Sequence, residues 1–281
     1  MEQIFIAPFA YPFMGRALAE LLVLGALAGT VGVLILLRRL AFMTDALTHT
    51  VFPGVVIGYL LSGEGGVFWG ALAAAAATAA LLTLITRHRA VTEDAALAVL
   101  LTTFFALGVV LVSRESGYTA DLTAFLFGRI LTVTPQQLTE TLVVTALVVA
   151  ALAVLRRPLL ARAFDPEGAR AAGYRIGLLD LATNAIVALV VVAAVRAVGT
   201  VLVIALLIVP AAAARLLSDR LALIVPAAAV IGAFGGWAGL AVSYDASVHH
   251  GLRLASGATV VLILIACHLG ALAFRATRRT P

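Results

Sequence analysis

An aspartate and a histidine four residues apart, Asp45 and His49, interrupt the apolar stretch AFMTDALTHTVFPGVV at positions 41–56. On a helix this spacing projects both side chains from one face, with Cβ atoms about 6 Å apart, so they can share a ligand. Carboxylate plus imidazole suits Mn2+, Fe2+ or Zn2+ and suits bare alkali ions poorly. The competing reading is an Asp–His hydrogen-bonded pair that only ties helices together. Two such pairs facing each other across a twofold axis would supply four ligands. Pro53 and Gly54 follow on the same run. Proline removes a backbone donor and permits a kink, which a gated pathway would use and which an ordinary membrane-helix proline also produces.

The other polar residues read more plainly. Thr92-Glu93-Asp94 has the chemistry of a helix N-terminus. His249 and His250 fall in YDASVHHGLRLASG, read as an outer loop that is either solvated or captures metal. His88 sits in an arginine cluster, His268 beside Cys267 reads as packing, and Asn184 as an interhelical hydrogen bond. The single cysteine excludes an intrachain disulfide. The chain has no lysine, which a P-loop needs to reach the β/γ-phosphates, so it is not a standard ATPase by itself. HExxH and GxSxG are also missing, which argues against a hydrolase.

These residues must be carried by membrane-spanning helices. Of the 281 residues 63% are hydrophobic and 12% charged, and the mean hydropathy is +1.13, far from the balance of a soluble domain. Apolar runs of about 18–22 residues recur along the chain, each long enough to cross a hydrocarbon layer about 30 Å thick. The expected fold is all-α, a polytopic transmembrane bundle of eight or nine spans near 17–37, 41–61, 66–86, 93–113, 138–155, 178–195, 199–217, 221–243 and 257–274. The count is eight if 178–217 is interrupted differently. On this scheme Asp45 lies about 8 Å and His49 about 14 Å into the layer. An ionised aspartate there costs about 2.5–3.5 kcal/mol, so the pair is expected to face a bundle interior or a wet cavity.

With the N-terminus outside and the C-terminus in the cytoplasm, only Arg16, Arg114, Arg129, Arg196 and Arg253 of the 19 basic residues fall outside. This matches the positive-inside rule, and the +5 charge reads as topology, not as a nucleic-acid surface. The opening MEQIFIAPFAYPFMG lacks a basic n-region and reads as an interfacial lead into the first helix. Residues 120–133 are apolar but too short to span, and are expected to form a re-entrant or interfacial helix. The sizeable cytoplasmic insertion is 156–177. Within it Asp165-Pro166-Glu167 supplies an N-cap, a first-turn proline and a first-turn acid for a short amphipathic helix suited to docking.

Taken in order, RRLAFMTDALTHTVFPGVVIGYLL, VTEDAALAVLLTTFFALGVVLVS, DLTAFLFGRILTVT, FDPEGARAAGY, VGTVLVIALLIVPAAAARLLS and SGATVVL resemble the membrane permease family of zinc, manganese and iron ABC importers. The resemblance runs over most of the chain. It implies a type II importer-like fold, with residues 1–281 forming one permease domain. It further implies a second permease subunit, two cytoplasmic ATP-binding subunits, an external metal-binding protein, and placement in a bacterial cell membrane. By position, Asp45 and His49 match the family's metal-coordinating acid and histidine. Asp165, Glu167, Ala169 and Gly173 match the segment that meets the ATPase. Thr44 and Thr48 depart from the family's small residues, and their hydroxyls would add a weak ligand or only fill space. The 243–257 connection is longer than usual. Two other readings fit the same residues: an ion-coupled secondary transporter with Asp45 as proton carrier, and an intramembrane enzyme using Asp45 and His49 to hold a catalytic ion.

Overall fold

The computed structural model describes residues 7–86, 91–113, 128–252 and 254–279. After a 3-10 turn at Ala7–Ala10 the helices are α1 Pro12–Arg38, α2 Ala41–Thr50, α3 Phe52–Ser62, α4 Glu64–Ile85 and α5 Glu93–Val112. Then come a 3-10 turn at Ile130–Thr132 and α6 Pro135–Phe164, α7 Pro166–Ala171, α8 Ile176–Leu217, α9 Leu221–His249 and α10 Ser256–Arg279. The described residues contain no strand, and seven of these helices are long and apolar enough to cross a membrane.

The fold is the expected polytopic all-α one, with informative differences. The run at 41–62 is divided at Val51 into α2 and α3. Conversely, α8 spans 42 residues, which at 1.5 Å per residue would be about 63 Å of helix, twice the hydrocarbon thickness. Gly199 resolves this with φ 75 and ψ 164, a conformation closed to most L-residues, and so separates two membrane-length pieces. Counting α2–α3 as one crossing and α8 as two, the described residues hold nine such segments. Of the expected re-entrant stretch 120–133, residues 120–127 lie outside the described residues. Gly128 packs against Val198, and the Arg129 N–H donates to the Ala197 carbonyl at 3.2 Å, so the break in α8 has a backbone partner.

Two corrections concern boundaries. α6 continues to Phe164, so residues 156–164 of the insertion are its last turns and the separate short helix is α7 alone. α9 continues to His249, so the stretch read as an outer loop is helical through Asp245 and His249.

The residues group into two compact units, one comprising 1–36, 123–145 and 194–281, the other 37–122 and 146–193. In the first, α1 lies directly on α9, where a Cβ on Gly25 would strike the Gly232 backbone. Glu20, fully buried, accepts a hydrogen bond from Thr141 Oγ1 at 2.7 Å, and Arg196 pairs with Glu140 at 2.6 Å. In the second, α3 and α4 form a tight hairpin, with Gly54 against Gly70 and Gly58 against Gly66. Small residues four apart on both helices let the backbones touch, the usual source of helix attraction where lipid removes the hydrophobic drive. α5 packs on α2 and α3, with Gly108 leaving room for the Phe52 ring.

Candidate metal station

α1 ends where Arg39 takes the left-handed conformation at φ 57, and α2 starts two residues later. The turn places Asp45 and His49 on one face of α2, as their spacing predicts. His49 Nε2 lies 3.6 Å from Asp45 Oδ1, beyond hydrogen-bonding distance. The pair is therefore juxtaposed without being consumed in a mutual hydrogen bond. A cation about 2.1 Å from both atoms would see them at an angle of about 118°, compatible with trigonal or slightly opened tetrahedral coordination.

The side chains are 41% (Asp45) and 25% (His49) exposed, so the free edge of the pair is at the surface of the single chain. The far side of the imidazole is buried: Nδ1 has no hydrogen-bond partner, and Phe105 of α5 meets the ring edge-on with centroids 5.4 Å apart. Phe105 in turn packs on Phe52 at 5.8 Å. The aromatic contact restricts the ring plane, and it is Nε2 that faces Asp45.

The threonine hydroxyls do not join the pair. Thr48 Oγ1 donates to the Asp45 carbonyl at 2.7 Å and Thr44 Oγ1 to the Leu40 carbonyl at 3.4 Å, and both residues are fully buried. Such back-bonding on a helix occupies the hydroxyl proton and bends the helix slightly. Pro53 lies four residues past His49 and has no N–H for the His49 carbonyl, which places the interruption at Val51 beside the pair. Gly54 is spent on close approach to α4.

The second set of predicted residues builds α7. Asp165 Oδ1 accepts from the Gly168 N–H at 2.9 Å, with Pro166 and Glu167 in the first turn. At the other end the Gly173 N–H donates to the Arg170 carbonyl at 3.0 Å and the Tyr174 N–H to the Ala169 carbonyl at 3.1 Å, with Gly173 at φ 88. This is a Schellman C-terminus, in which the N–H of a left-handed residue and that of the residue after it satisfy two of the last carbonyls. Ala169 is buried and Glu167 exposed.

The structure brings Asp45 and His49 together and leaves the 165–173 set as a separate element. Among the described residues no group of three or more His, Cys, Asp or Glu is arranged to hold a metal ion. His249 Nδ1 lies 3.0 Å and His250 Nδ1 3.8 Å from the Asp245 carboxylate, at the end of α9. His268 Nδ1 is buried without a partner, His88 lies outside the described residues, and the Thr92 hydroxyl caps α5 by accepting from Ala95 N. Sequence reading missed one polar assembly in the second unit. Asp180, near the start of α8, accepts from Arg38 Nη2 through Oδ1, and from Arg162 Nε (3.0 Å) and Nη2 (3.3 Å). Arg38 Nη1 also donates to Thr183 Oγ1 at 2.8 Å. The signal that could have found it is the one that marked Asp45, an ionisable residue inside an apolar run.

Residues 10–275 match the family model described as the ABC 3 transport family. The manganese transport system membrane protein MntC of Halalkalibacterium halodurans is 38% identical, over 94% of this chain and 87% of that one. The manganese import system permease protein ScaB of Streptococcus parasanguinis is 34% identical, over 90% of this chain and 87% of its own. Among solved structures, PsaBC from Streptococcus pneumoniae in complex with Fab contains a chain that superposes with a TM-score of 0.84 at 29% identity, covering 97% of this chain and 95% of that one.

Proposed function

The chain belongs to the ABC 3 transport family, and from that premise we propose that it is the permease subunit of an ATP-driven importer of a divalent transition metal, with Mn2+ favoured and Zn2+ or Fe2+ as further cargo. The relatives named for manganese transport or import support the cargo class. The observation that carries the reading is the Asp45–His49 pair: two metal-competent atoms 3.6 Å apart, not bonded to each other, on the free surface of a membrane helix.

A half-exposed carboxylate is costly against lipid, so that surface must be covered by water or by another subunit. A second copy of this chain presenting the same face supplies both the cover and two more ligands. In the proposed cycle an external metal-binding protein docks on the outer side. The ion passes between the two permease subunits and is held briefly by Asp45 and His49. Two cytoplasmic ATP-binding subunits drive the change of access through α7, where Asp165, Glu167, Ala169 and Gly173 shape the contact. Val51 and Pro53-Gly54, next to the pair, are the flexible point of the pathway. ATP hydrolysis belongs to the partner, as expected of a chain without lysine. Residues 1–281 act as one permease domain in a bacterial cell membrane, N-terminus outside and C-terminus cytoplasmic.

The test is radiolabelled Mn2+ uptake into vesicles holding the permease with its ATPase and metal-binding protein, with Zn2+ and Fe2+ as competitors. Uptake that needs ATP and all three components is expected. Equal uptake by this chain alone would overturn the proposal in favour of a secondary transporter.

A further inference from the structure

We propose that Asp180, gripped by Arg38 and Arg162, is the joint that passes movement of α7 to the helix carrying Asp45 and His49. This rests on the reading of α7 as the ATPase contact.

The geometry supports a joint on both sides. Arg162 stands three residues before the Asp165 cap and Asp180 seven residues after Gly173, so their two-point contact closes the base of the loop that contains α7. A guanidinium that meets a carboxylate through Nε and Nη2 resists rotation as well as separation. A displacement of α7 is therefore delivered to the start of α8 as a unit. On the other side, Arg38 is the last residue of α1 and its side chain is only 7% exposed. Both its terminal nitrogens are bonded to α8, one to Asp180 and one to Thr183. After Arg38 comes the single left-handed residue Arg39, and α2 begins at Ala41. A pull on Arg38 thus reaches α2 through a two-residue turn, seven positions before Asp45.

The residual charge of the cluster reaches one further helix. Two guanidiniums and Asp180 leave one positive charge, and the Glu93 carboxylate, attracted by Arg38 and Arg162 and repelled by Asp180, feels it through space. Glu93 opens α5, the helix whose Phe105 holds the His49 ring. α2 is thereby bonded to the cluster through Arg38, and α5 begins within reach of its field. Breaking one partner out of such a poorly solvated cluster is costly, so its members move together.

Static glue would use the same bonds, and the two roles differ in what fails. The experiment uses the complete complex in vesicles, reading Mn2+ taken up per ATP hydrolysed in complexes that have assembled. Asp180→Asn and Arg38→Gln are expected to lower that ratio about tenfold while hydrolysis changes by no more than about twofold. Asp180→Glu, which keeps the charge, is expected to recover most of it. Thr183→Val removes one bond to Arg38 and no charge, and is expected to lower the ratio about threefold. It decides the matter if the charge variants do not assemble. An unchanged ratio in the assembled variants, or uptake and hydrolysis falling in parallel, would overturn the joint while leaving the transport reading intact. A wild-type complex without ATP-dependent uptake would overturn the transport reading, and the joint with it.

Discussion

Gly173 offers a sharp test of how α7 is built, because its conformation and its surroundings make opposite demands. The residue sits at φ 88, where an L-side chain is strained, yet a Cβ placed on it would meet nothing within 4 Å. Sterics outside the backbone are therefore irrelevant, and the penalty for substitution is conformational. Holding alanine in the left-handed region costs about 1–2 kcal/mol. The two capping bonds that this conformation permits, at 3.0 and 3.1 Å, return about 1 kcal/mol each. An alanine cap is thus close to break-even, and the end of α7 should spend a sizeable part of its time unwound. Asparagine tolerates the left-handed region far better, whereas a β-branched valine is worse than alanine. The expected order of Mn2+ transported per ATP is glycine, then Gly173→Asn, then Gly173→Ala at about two- to fivefold below wild type, then Gly173→Val. Uptake and hydrolysis measured on the same assembled complexes give the ratio. If Gly173→Asn were as damaging as Gly173→Val, with the loss following side-chain volume, the backbone argument would be wrong and Gly173 would be a point of direct contact with the partner.

Three further outcomes follow from the site and the packing around it. Asp45→Ala or His49→Ala, each removing one of the two candidate ligands from every copy, is expected to reduce metal uptake at least tenfold while leaving assembly with the ATPase intact, checked by uptake and co-purification; uptake at normal rates would reject the site. Thr48→Val and Thr44→Val are expected to leave metal uptake within about twofold of wild type, since both hydroxyls are bound to backbone carbonyls of their own helix; a tenfold loss would make one of them a ligand. Gly70→Leu should part the α3–α4 hairpin, because even a Cβ at that position collides with the Gly54 carbonyl. A cost of about 1–3 kcal/mol is expected from such overpacking, read as a fall in the thermal midpoint of the purified protein in detergent.

What was legible in the sequence was what local spacing controls. The Asp45–His49 pair follows from helical periodicity together with the cost of charge in hydrocarbon, and both operate within five residues. The start of α7 was equally readable, because Asp165-Pro166-Glu167 carries its capping chemistry in its own side chains and backbone preference. The extent of α9 was misread for a related reason. A His-His-Gly sequence suggests a loop, but Asp245 and His249 are four apart and meet on one helical face, which lets the helix run on to its last turn.

What stayed hidden was partnership between distant residues. Arg38 and Asp180 are 142 positions apart and Glu20 and Thr141 are 121 apart, so nothing local says which charge answers which. Asp180 and Asp45 illustrate the point. Each is a lone aspartate in an apolar run, and the same desolvation argument marks both as consequential. One is enclosed by two guanidiniums, which leave its oxygens occupied, and the other faces an imidazole at a distance too long for a hydrogen bond. The first arrangement satisfies the carboxylate within the chain and suits a joint. The second leaves the carboxylate with no cation bonded to it among the described residues, which is the demand that the proposed passage of a metal ion would fill and then vacate.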